Sequence, residues 1–564
     1  MVALFFVLGV ALLVLGYFTY GHLVARWLGV DNARPTPAHT IHDDPEMGKD
    51  PTVRYDYAPA RAAVLFGHHF SSIAGAGPIA GPIIAAAAFG WLPVALWIVL
   101  GSVLIGGVQD LASLVASVRN RARSIGEISR RYLSPLGYRL MLAFIYLTLL
   151  YVTVVFLDLT SSTFTKSGGV ASSSVMYIVL AVIFGILVVR RGLPLWLGSV
   201  CFVPLVFAGI WAGQQLPMDP RALGIGRPEI FWDIVLLSYC FVASVLPVWL
   251  LLQPRDYLSS FLLFGCLLGG LAGILAGALS GGLPSAGLPA LGSLSDPHLG
   301  ALLPALFITV ACGASSGFHT LVASGTTAKQ LDREAHALPV AYGGMLLEGV
   351  LALIALVAVV LVGTGGGEPT VIFSQGMGSF LGALGLDPSL GAAFGLLAVS
   401  TFLLTTLDTC TRLGRYVFEE LTHLRGPLAR YLATGVTLAI PAVFVMVPFT
   451  DSAGKPVAPW KIIWPVFGAT NQLLGGLALL VVVLWLRDKK RRLWYVAAPC
   501  VFMVCMTLWS LGAMVLSQRF ATVVRVLALV LSLLAVAVTV EVIRALRQPV
   551  GGESGSEDGK PRLG

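Results

Sequence analysis

Long apolar runs separated by short polar connections extend over almost the whole 564-residue chain. A helix that crosses the hydrocarbon core of a bilayer needs about 20 mainly apolar residues, so each run of this length predicts a membrane-spanning helix. Fifteen runs meet this length, near residues 2–28, 63–89, 92–117, 138–164, 172–190, 194–213, 230–252, 257–279, 301–324, 338–362, 390–411, 428–449, 462–486, 493–516 and 521–546. The residues 363–389 hold one more apolar piece, which is short and glycine-rich and predicts an external loop or a re-entrant segment.

The second run is interrupted by glycine and proline in the stretch GHHFSSIAGAGPIAGP, residues 67–82. A proline inside a helix removes one backbone hydrogen bond and costs about 3 kcal/mol or more, so a continuous helix is not expected near Gly75, Gly77 and Pro78. Irregular backbone survives in a membrane only where it is buried in protein or lines a cavity. The second half-helix would direct free N–H groups and a positive dipole end toward an anionic ligand. The alternative is a kinked helix whose small residues allow close packing.

Composition supports the membrane assignment and argues against a nucleic-acid-binding, disulfide-bonded or zinc-binding protein. Hydrophobic residues make up 57% and charged residues 11%, against about 25% charged in ordinary soluble domains. The net charge of +8 arises from cations in short connections between helices, so no nucleic-acid partner is expected. The seven cysteines form no CxxC pair and are assigned to packing rather than to disulfides or zinc. The first run lacks the basic start and the cleavage site of a signal peptide and is kept as a helix.

Lysine and arginine predict the orientation, because positively charged loops stay on the cytoplasmic side of a membrane. Five arginines follow the third run within residues 118–137, and every second connection after it is also basic. This pattern places the N-terminus in the periplasm and the C-terminus in the cytoplasm. The cations that set it are Arg119, Arg121, Arg123, Arg130, Arg131, Arg190, Arg191, Arg255, Lys329, Arg333, the stretch from Arg412 to Arg430, and the stretch from Arg487 to Arg492.

Several blocks of this chain resemble the signature blocks of the carbon starvation protein A (CstA) family of bacterial inner-membrane transporters. The blocks are GHHFSSIAGAGPIAGP at 67–82, GGVQD at 106–110, QPRDYLS at 253–259, CGASSGFHTLVASGTTAKQ at 312–330, TTLDTCTRLGRY at 405–416 and WPVFGATNQLL at 464–474. The resemblance implies import of small carboxylate-bearing nutrients, peptides or pyruvate, driven by a cation gradient during carbon starvation. The family is grouped by fold with amino acid, polyamine and organocation transporters. This grouping implies an all-α, LeuT/APC-like core of two inverted five-helix repeats, each starting with a broken helix.

Applied to this chain, the repeat predicts that the run five helices after the second, 230–252, is also broken. That run holds Pro247 after a stretch of small residues that includes Ser244. The two breaks are expected near Gly75–Pro78 and Ser244–Pro247 and should meet at mid-membrane. The resulting organisation is an N-terminal helix and cytoplasmic loop (1–62), a ten-helix transport core (63–411), C-terminal membrane helices (412–546) and a disordered cytoplasmic tail (547–564).

Histidines and serines in the interrupted stretch are candidates for substrate binding or ion coupling, because polar and ionisable side chains inside membranes are costly. His68 and His69 are adjacent and differ by about 100° on a helix, so only one of them can face a single cavity. That histidine would accept a coupling proton or contact a carboxylate, since histidine titrates near neutral pH. The alternative is that both rings donate to nearby carbonyls. Ser71 and Ser72 belong to the same stretch and are candidate binding residues with them.

Four acids fall within the predicted spans: Asp110, Asp158, Glu348 and Asp408. Glu348 lies near the middle of its run and Asp158 in the outer part of its run. Asp110 and Asp408 lie toward the cytoplasmic ends, where pairing with Arg412 or with loop arginines is the structural alternative. We predict a gating or proton-transfer role for Asp110.

The ninth run carries more polar side chains than helix packing needs, in the stretch CGASSGFHTLVASGTT. Hydroxyl and carbonyl oxygens suit Na⁺, so Ser315 and Ser316 are a candidate sodium site, and His319 is a candidate binding or coupling residue. The alternative is interhelical hydrogen bonding, with each bond worth about 0.6 kcal/mol. Asn471 and Gln472 lie outside the predicted core and are expected to form bonds of that kind.

These features favour a secondary active transporter that is not an enzyme and needs no cofactor beyond its coupling ion. H⁺ is the preferred coupling ion and Na⁺ is the alternative. A channel and a membrane-embedded hydrolase are the other classes, but a channel would show ring-forming selectivity elements. Neither the HExxH pattern of metalloproteases nor the GxxxxGK[ST] pattern of ATP-driven proteins occurs. The expected partners are a small-molecule substrate and the lipid bilayer.

Overall fold

The computed structural model describes residues 2–43, 57–247, 250–281, 287–424, 426, 428–450 and 456–548. Within these residues, thirteen helices are long and apolar enough to cross a membrane, or fourteen if the bent pair Ala62–Ile73 and Gly77–Phe89 counts as one span. The all-helical membrane architecture is therefore confirmed. Two antiparallel hairpins of two-residue strands lie in connections, with Ser295–Asp296 paired to Gly300–Ala301 and Phe449–Thr450 paired to Pro456–Val457.

The longer helices follow one another as α1 (Ala3–Leu28), α2 (Ala62–Ile73), α3 (Gly77–Phe89), α4 (Trp91–Arg119), α5 (Ile125–Tyr132), α6 (Pro135–Lys166), α7 (Gly168–Arg190), α8 (Leu195–Gln215), α9 (Pro228–Val245), α10 (Leu252–Leu279), α11 (Leu302–Thr309), α12 (Gly317–Gly325), α13 (Glu334–Val362), α14 (Pro369–Gly382), α15 (Pro388–Thr422), α16 (Ala429–Met446), α17 (Pro459–Asp488), α18 (Trp494–Leu516) and α19 (Thr522–Arg547). Among the thirteen long spans, α13 and α17 are the most buried, with 89% and 94% of their most apolar segments buried, while those of α1 and α8 are only 22% buried. The helices α13 and α17 therefore form the centre of the bundle, and α1 and α8 form part of its lipid-facing rim.

Local sequence explains where several helices begin. The hydroxyl of Ser134 accepts the backbone N–H of Gly137 (3.0 Å) at the start of α6, where Pro135 occupies the first helical position. Ser124 and Glu127 form a reciprocal capping box at the start of α5. These caps satisfy N–H groups that would otherwise lack partners at the helix ends.

Consecutive spans are joined by short connections and run in opposite directions, so their ends form two faces. On one face Arg119, at the end of α4, donates to the carbonyl oxygens of Leu28 (3.0 Å) and Gly29 (2.6 Å) and pairs with Glu334 (2.6 Å). We call this the basic face, defined by Arg119, Arg121, Lys489 and Arg491. The other side of the bundle is the opposite face.

The first predicted interruption is confirmed. Helix α2 ends at Ile73, α3 begins at Gly77, and the two axes are bent by 44°. Pro78 lies in the first turn of α3, where its missing N–H costs little, so the break lies N-terminal to the proline. The residues of the break are buried, as expected for irregular backbone inside a membrane protein.

A second interruption occurs where the sequence predicted a continuous helix, in the run 301–324. Helix α11 ends at Thr309 and α12 begins at Gly317. The backbone carbonyls between the two helices accept hydrogen bonds from side chains of α4. Trp97 donates to Val310 (3.3 Å), Ser102 donates to Gly313 (3.2 Å), and Gln109 donates to Ser316. The expectation of an unbroken ninth helix is thus wrong, because small residues and serines in CGASSG compete with helical hydrogen bonding.

The predicted break at Ser244–Pro247 is also wrong. Helix α9 ends at Val245, and the next span is the separate helix α10, so Pro247 terminates a span instead of dividing one. The last carbonyls of α9 accept hydrogen bonds from two arginines of α15. Arg412 donates to Ala243 (2.6 Å) and Leu246 (2.8 Å), and Arg415 donates to Ser244 (2.8 Å). The interrupted runs are therefore the second and the ninth, and the inverted repeat stays a prediction.

Two other expectations concern connecting segments. The residues 363–389, predicted as a loop or re-entrant piece, contain the helix α14, which packs against α15 and α13. Its Ser374 donates to the carbonyl of Ala392 (2.8 Å) and ties the helix to α15. The predicted disordered tail lies almost entirely outside the described residues, as do residues 44–56 of the predicted cytoplasmic loop.

Candidate functional site

The two interruptions meet at a small buried cavity. A Cβ added at Gly77 would lie 2.3 Å from Sγ of Cys312, and one added at Gly81 would lie 2.5 Å from the carbonyl oxygen of Thr309, so only glycine permits this approach. The cavity has a volume of about 10 Å³, which is room for one water molecule. Its lining is formed by Ile73, Gly75, Gly77, Pro78, Val152, Phe156, Cys312, Ser316, Phe318, Thr406, Phe467 and Asn471.

Helix ends give the cavity its chemistry. Helix α3 begins at Gly77 and helix α12 begins at Gly317, so two N-terminal helix ends border the cavity. Such ends carry partial positive charge and N–H groups that favour a carboxylate or another anion. The rings of Phe156, Phe318 and Phe467 supply apolar walls beside them. The arrangement suits a small ligand that has one anionic group and an apolar part.

Asn471 of α17 holds the start of α12. Its Oδ1 accepts the N–H of Phe318 (2.9 Å) and the hydroxyl of Ser316 (3.3 Å), while its Nδ2 lies 3.1 Å from Sγ of Cys312. The predicted interhelical bonding of Asn471 and Gln472 is confirmed, since Gln472 accepts the hydroxyl of Ser315 (3.3 Å). Asn471 also lines the cavity, so α17 contributes to a site that the sequence placed entirely within 63–411.

The candidate sodium site, Ser315 and Ser316, shows the interhelical hydrogen bonds that were its structural alternative. Their role in binding Na⁺ stays a prediction. Among the described residues, no group of three His, Cys, Asp or Glu side chains could hold a metal ion. The letters GASSG at 313–317 also match the G-x-S-x-G spacing of serine hydrolases. That motif joins a strand to a helix, whereas here it joins two halves of a broken helix.

Next to the second break, three ionisable side chains form a fully buried cluster. His319, in the first turn of α12, has Nδ1 2.8 Å from Oδ2 of Asp110 and Nε2 2.8 Å from Oε2 of Glu348. The contact with Asp110 is a hydrogen bond, whereas the contact with Glu348 has the distance of an ion pair but not the direction of a hydrogen bond. One oxygen of Asp110 and both oxygens of Glu348 have no hydrogen-bond partner within the described part of the chain. We call these three residues the His319 cluster.

The charge of the His319 cluster depends on where protons reside. Two ionised carboxylates around one imidazole carry a net charge of −1 or −2, and unpaired charge is costly in a buried site. An added proton reduces that charge. The cluster can therefore take up a proton and release it again if its surroundings change between two conformations.

His68 and His69 point to different partners, as their spacing predicted. His69 is fully buried, with Nδ1 2.8 Å from the hydroxyl of Thr327 and Nε2 without a hydrogen-bond partner among described residues. Its ring also lies beside Gly344 of α13, where an added Cβ would be 3.3 Å from Cδ2 of His69. Gly344 is one helical turn before Glu348, so His69 lies on the same side of α13 as the His319 cluster.

The other histidine approaches a second buried cluster. Nδ1 of His68 lies 3.4 Å from Oδ2 of Asp256, and the neighbouring Arg255 donates to Asp256 Oδ1 (2.7 Å) and to Asp408. Tyr239 donates to Asp408 (2.9 Å). Arg255, Asp256 and Asp408 are fully buried, and we call them, with Tyr239, the Arg255 cluster. It connects α9, α10 and α15.

The structure separates the predicted site residues into four places. Gly75, Gly77, Pro78 and Ser316 line the cavity, while Asp110 and His319 join Glu348 in the His319 cluster. The Ser72 hydroxyl donates to the carbonyl of His68 (2.8 Å) near the Arg255 cluster, and the buried Ser71 hydroxyl has no partner within the described residues. Ser244 and Pro247 lie at the basic-face end of α9, where the Ser244 hydroxyl is 3.2 Å from that of Thr434.

Of the Arg255 cluster the sequence analysis names only Asp408 as a candidate, and it does not single out the site positions of Arg255, Asp256, Tyr239 and Cys312. Arg255 was counted as a loop cation, but its side chain is fully buried, and Asp408 pairs with it instead of with Arg412. The signal was present in the block QPRDYLS, which places an arginine and an aspartate side by side at the start of an apolar run. Asp110 pairs with His319 instead of a loop arginine. Asp158, near the opposite face, accepts the N–H of Trp460 (2.8 Å).

Comparison with known proteins shows which family of sequences this chain resembles. A family profile described as carbon starvation protein CstA matches residues 1–367 and 361–510. A relative from Campylobacter jejuni named peptide transporter CstA is 33% identical over 574 residues, covering 89% of this chain and 79% of the relative. A relative from Escherichia coli K12 named pyruvate/proton symporter BtsT is 30% identical over 607 residues, covering 91% of this chain and 81% of the relative.

Two solved structures are distant neighbours. A single-site mutant of the manganese transporter of Eremococcus coleocola aligns with 15% identity and a TM-score of 0.49, covering 86% of this chain and 94% of that chain. MhsT in complex with L-phenylalanine aligns with 15% identity and a TM-score of 0.47, covering 85% of this chain and 99% of that chain.

Proposed function

We propose that this chain, which belongs to the carbon starvation protein CstA family, is a secondary active transporter. It would import small carboxylate-bearing nutrients by proton symport. Pyruvate and short peptides are the substrate classes, because relatives are named for each of them. The proposal assigns transport and no catalysis. It also includes a role in carbon starvation and a place in the bacterial inner membrane, with the basic face in the cytoplasm.

The observation that carries the proposal is the meeting of two interrupted spans at one buried cavity. Two helix N-termini, at Gly77 and Gly317, supply an anion-binding end, and phenylalanine rings supply an apolar end. Secondary transporters place substrates at such breaks. A cavity of about 10 Å³ is smaller than pyruvate or any peptide, so the conformation described is closed to substrate. Substrate binding therefore requires α2–α3 and α11–α12 to move apart.

The His319 cluster is the proposed coupling site. His319 follows Gly317 by two residues, so a movement of α12 that admits substrate also moves the imidazole relative to Asp110 and Glu348. Protonation of the cluster would then be linked to the position of α12, which is what coupling of proton and substrate requires. His69, on the same side of α13 as Glu348, is the proposed next group on the proton pathway. Coupling to Na⁺ at Ser315 and Ser316 is the competing mechanism.

The proposal is tested by uptake into proteoliposomes that contain the purified chain. Labelled pyruvate and labelled dialanine are offered separately, with an imposed pH gradient or an imposed Na⁺ gradient. We expect accumulation of at least one substrate under an inward proton gradient and none above background under Na⁺ alone. Accumulation that follows only the Na⁺ gradient would show that Na⁺ is the coupling ion in place of H⁺. No accumulation under either gradient would contradict the transport assignment for these substrates.

Matched glycine variants connect the uptake to the cavity. In Gly77→Ala the new methyl group meets Cys312 at 2.3 Å, whereas in Gly209→Ala of α8 it meets nothing within 4 Å. We expect uptake to fall at least tenfold in Gly77→Ala and to remain unchanged in Gly209→Ala. Equal uptake by both variants would show that the approach of the two breaks does not serve transport.

A further inference from the structure

A second, much larger cavity opens on the basic face. Its volume is about 720 Å³, and it lies between the connection after α1, the end of α4 and the end of α17. Five cations line it: Arg34, Arg119, Arg121, Lys489 and Arg491. No carboxylate occurs among the lining residues in the described part of the chain. This concentration of positive charge in a concave site differs from scattered cations on a flat loop surface.

Among the described residues, Glu334 is the carboxylate that pairs with Arg119 and Arg34, and it is already engaged. Both oxygens of Glu334 accept hydrogen bonds from Arg119 (2.6 and 3.1 Å), and the backbone N–H of Asp31 donates to it as well (2.7 Å). Arg34 is therefore only a distant partner of Glu334 at 3.9 Å. Lys489 is 4.0 Å from Asp488 and half-exposed. Arg34 and Lys489 thus have weak partners and can turn toward a ligand.

Arg491 is held at the cavity by a close approach to the backbone. Gly29 has φ +63° in the left-handed region, and a Cβ added there would lie 2.2 Å from Nη1 of Arg491. Glycine both ends α1 and leaves room for the guanidinium. Arg119 keeps the same segment in place through the carbonyls of Leu28 and Gly29. The cavity is consequently a built feature of the residues that directly follow α1, as far as Ile41.

Apart from Thr40, the remaining lining is apolar. Trp485, Val118, Ile41, Pro35 and Pro37 form walls beside the cations. A volume of about 720 Å³ lies within the range of small-molecule sites, roughly 300–1,000 Å³. Charge of one sign together with an aromatic ring and aliphatic walls fits an anion of more than one charge that also carries an apolar or planar part.

We propose that this cavity binds a phosphate-bearing anion on the basic face, at a site separate from the transported substrate. Arg119 is nine residues from Asp110 along α4, a separation of about 14 Å. Two sources share the required chemistry: the headgroup of an anionic phospholipid and a soluble phosphate compound such as a nucleotide. A bound phosphate would join the residues that follow α1, from Arg34 to Ile41, to α4 and α17, and would stabilise the folded protein by mass action.

The test uses the full chain in nanodiscs and compares two double variants. Arg34→Gln/Arg491→Gln removes two cavity cations, and Arg190→Gln/Arg191→Gln removes two exposed cations outside the cavity. In phosphatidylcholine nanodiscs, sodium pyrophosphate and ATP are titrated while the thermal unfolding midpoint is recorded. In nanodiscs that also contain phosphatidylglycerol, lipid retained by the protein is counted by native mass spectrometry. If Arg34→Gln/Arg491→Gln does not fold, the ligand titration and the lipid measurement are repeated with Lys489→Gln, which changes a half-exposed position.

We expect a ligand-dependent rise of the unfolding midpoint, or retained phosphatidylglycerol, in the wild type and in the Arg190/Arg191 variant. The cavity variant should lose at least tenfold in apparent affinity or lose the retained lipid. A response to pyrophosphate or ATP identifies a soluble ligand, and retained lipid identifies a headgroup. Equal behaviour of the two double variants, or no response to any of the three probes in the wild type, would overturn the proposal.

Discussion

Two buried clusters of charged side chains differ in what supplies their positive charge. In the Arg255 cluster the cation is a guanidinium, which keeps its proton under all ordinary conditions and donates directly to both Asp256 and Asp408. In the His319 cluster the cationic group is an imidazole, a side chain that, unlike a guanidinium, can also exist in a neutral form. Both clusters are buried and ion-paired, so burial and pairing alone do not identify a coupling site. The exchangeable charge is the reason that we propose the His319 cluster, and not the Arg255 cluster, as the coupling site.

The two clusters also differ in the hydrogen bonds that their side chains form. Arg255 also lies near two backbone carbonyls of α15, at 3.4 Å each, and Tyr239 gives Asp408 a further hydrogen bond, although Nε of Arg255 and Oδ1 of Asp408 have no partner among the described residues. Glu348, in contrast, has two oxygens without hydrogen-bond partners among described residues. The Arg255 cluster is thus suited to hold three helices together. The His319 cluster is suited to change its protonation.

The largest expected effect comes from removing the permanent charge. In Arg255→Gln the two carboxylates of Asp256 and Asp408 remain buried without their cation, and we expect a loss of about 3–5 kcal/mol in the free energy of unfolding. Thermal unfolding of the purified protein measures it, with the exposed Arg191→Gln as the matched control. An unfolding midpoint equal to that of the control would show that Arg255 does not hold the helices together.

A smaller effect separates the two neighbouring histidines. His69→Gln should slow proton-driven uptake several-fold, because its Nε2, which has no hydrogen-bond partner among the described residues, lies on the side of α13 that carries Glu348. His68→Gln should leave the uptake rate unchanged, because the ring of His68 approaches Asp256 in the Arg255 cluster. Initial rates of uptake measure both variants. A slower rate in His68→Gln than in His69→Gln would place the proton pathway at the Arg255 cluster.

The smallest effect concerns one hydroxyl. Tyr239→Phe removes the hydrogen bond to Asp408 but leaves the ion pair with Arg255, so we expect a loss of about 1 kcal/mol in the free energy of unfolding. The ratio of accumulated to external substrate should stay at the wild-type value. Denaturant unfolding and steady-state accumulation measure the two quantities. A reduced accumulation ratio at normal stability would give the Arg255 cluster a role in coupling.

Features encoded by neighbouring residues were predictable from the sequence. The apolar runs gave the membrane spans, and the glycines and prolines around Gly75–Pro78 gave the first break, because both signals act within one or two helical turns. The divergent directions of His68 and His69 followed from helix geometry. These features depend little on the remainder of the fold.

Features that depend on distant partners were not predictable. The second break has no proline, and its carbonyls are satisfied by Trp97, Ser102 and Gln109 of another helix. Pro247 resembles a helix breaker within a span, but arginines of α15 cap the carbonyls before it and end the helix there. Each outcome was decided by side chains from a distant part of the chain.

The central claim is that the His319 cluster couples proton movement to substrate movement, and His319→Gln tests it most directly. Proteoliposomes with the variant are assayed for gradient-driven accumulation of labelled pyruvate and for counterflow exchange at equal pH, which needs no net proton movement. We predict that accumulation falls to the level reached without a gradient, while counterflow persists at a reduced rate. Full proton-driven accumulation by His319→Gln would contradict the claim.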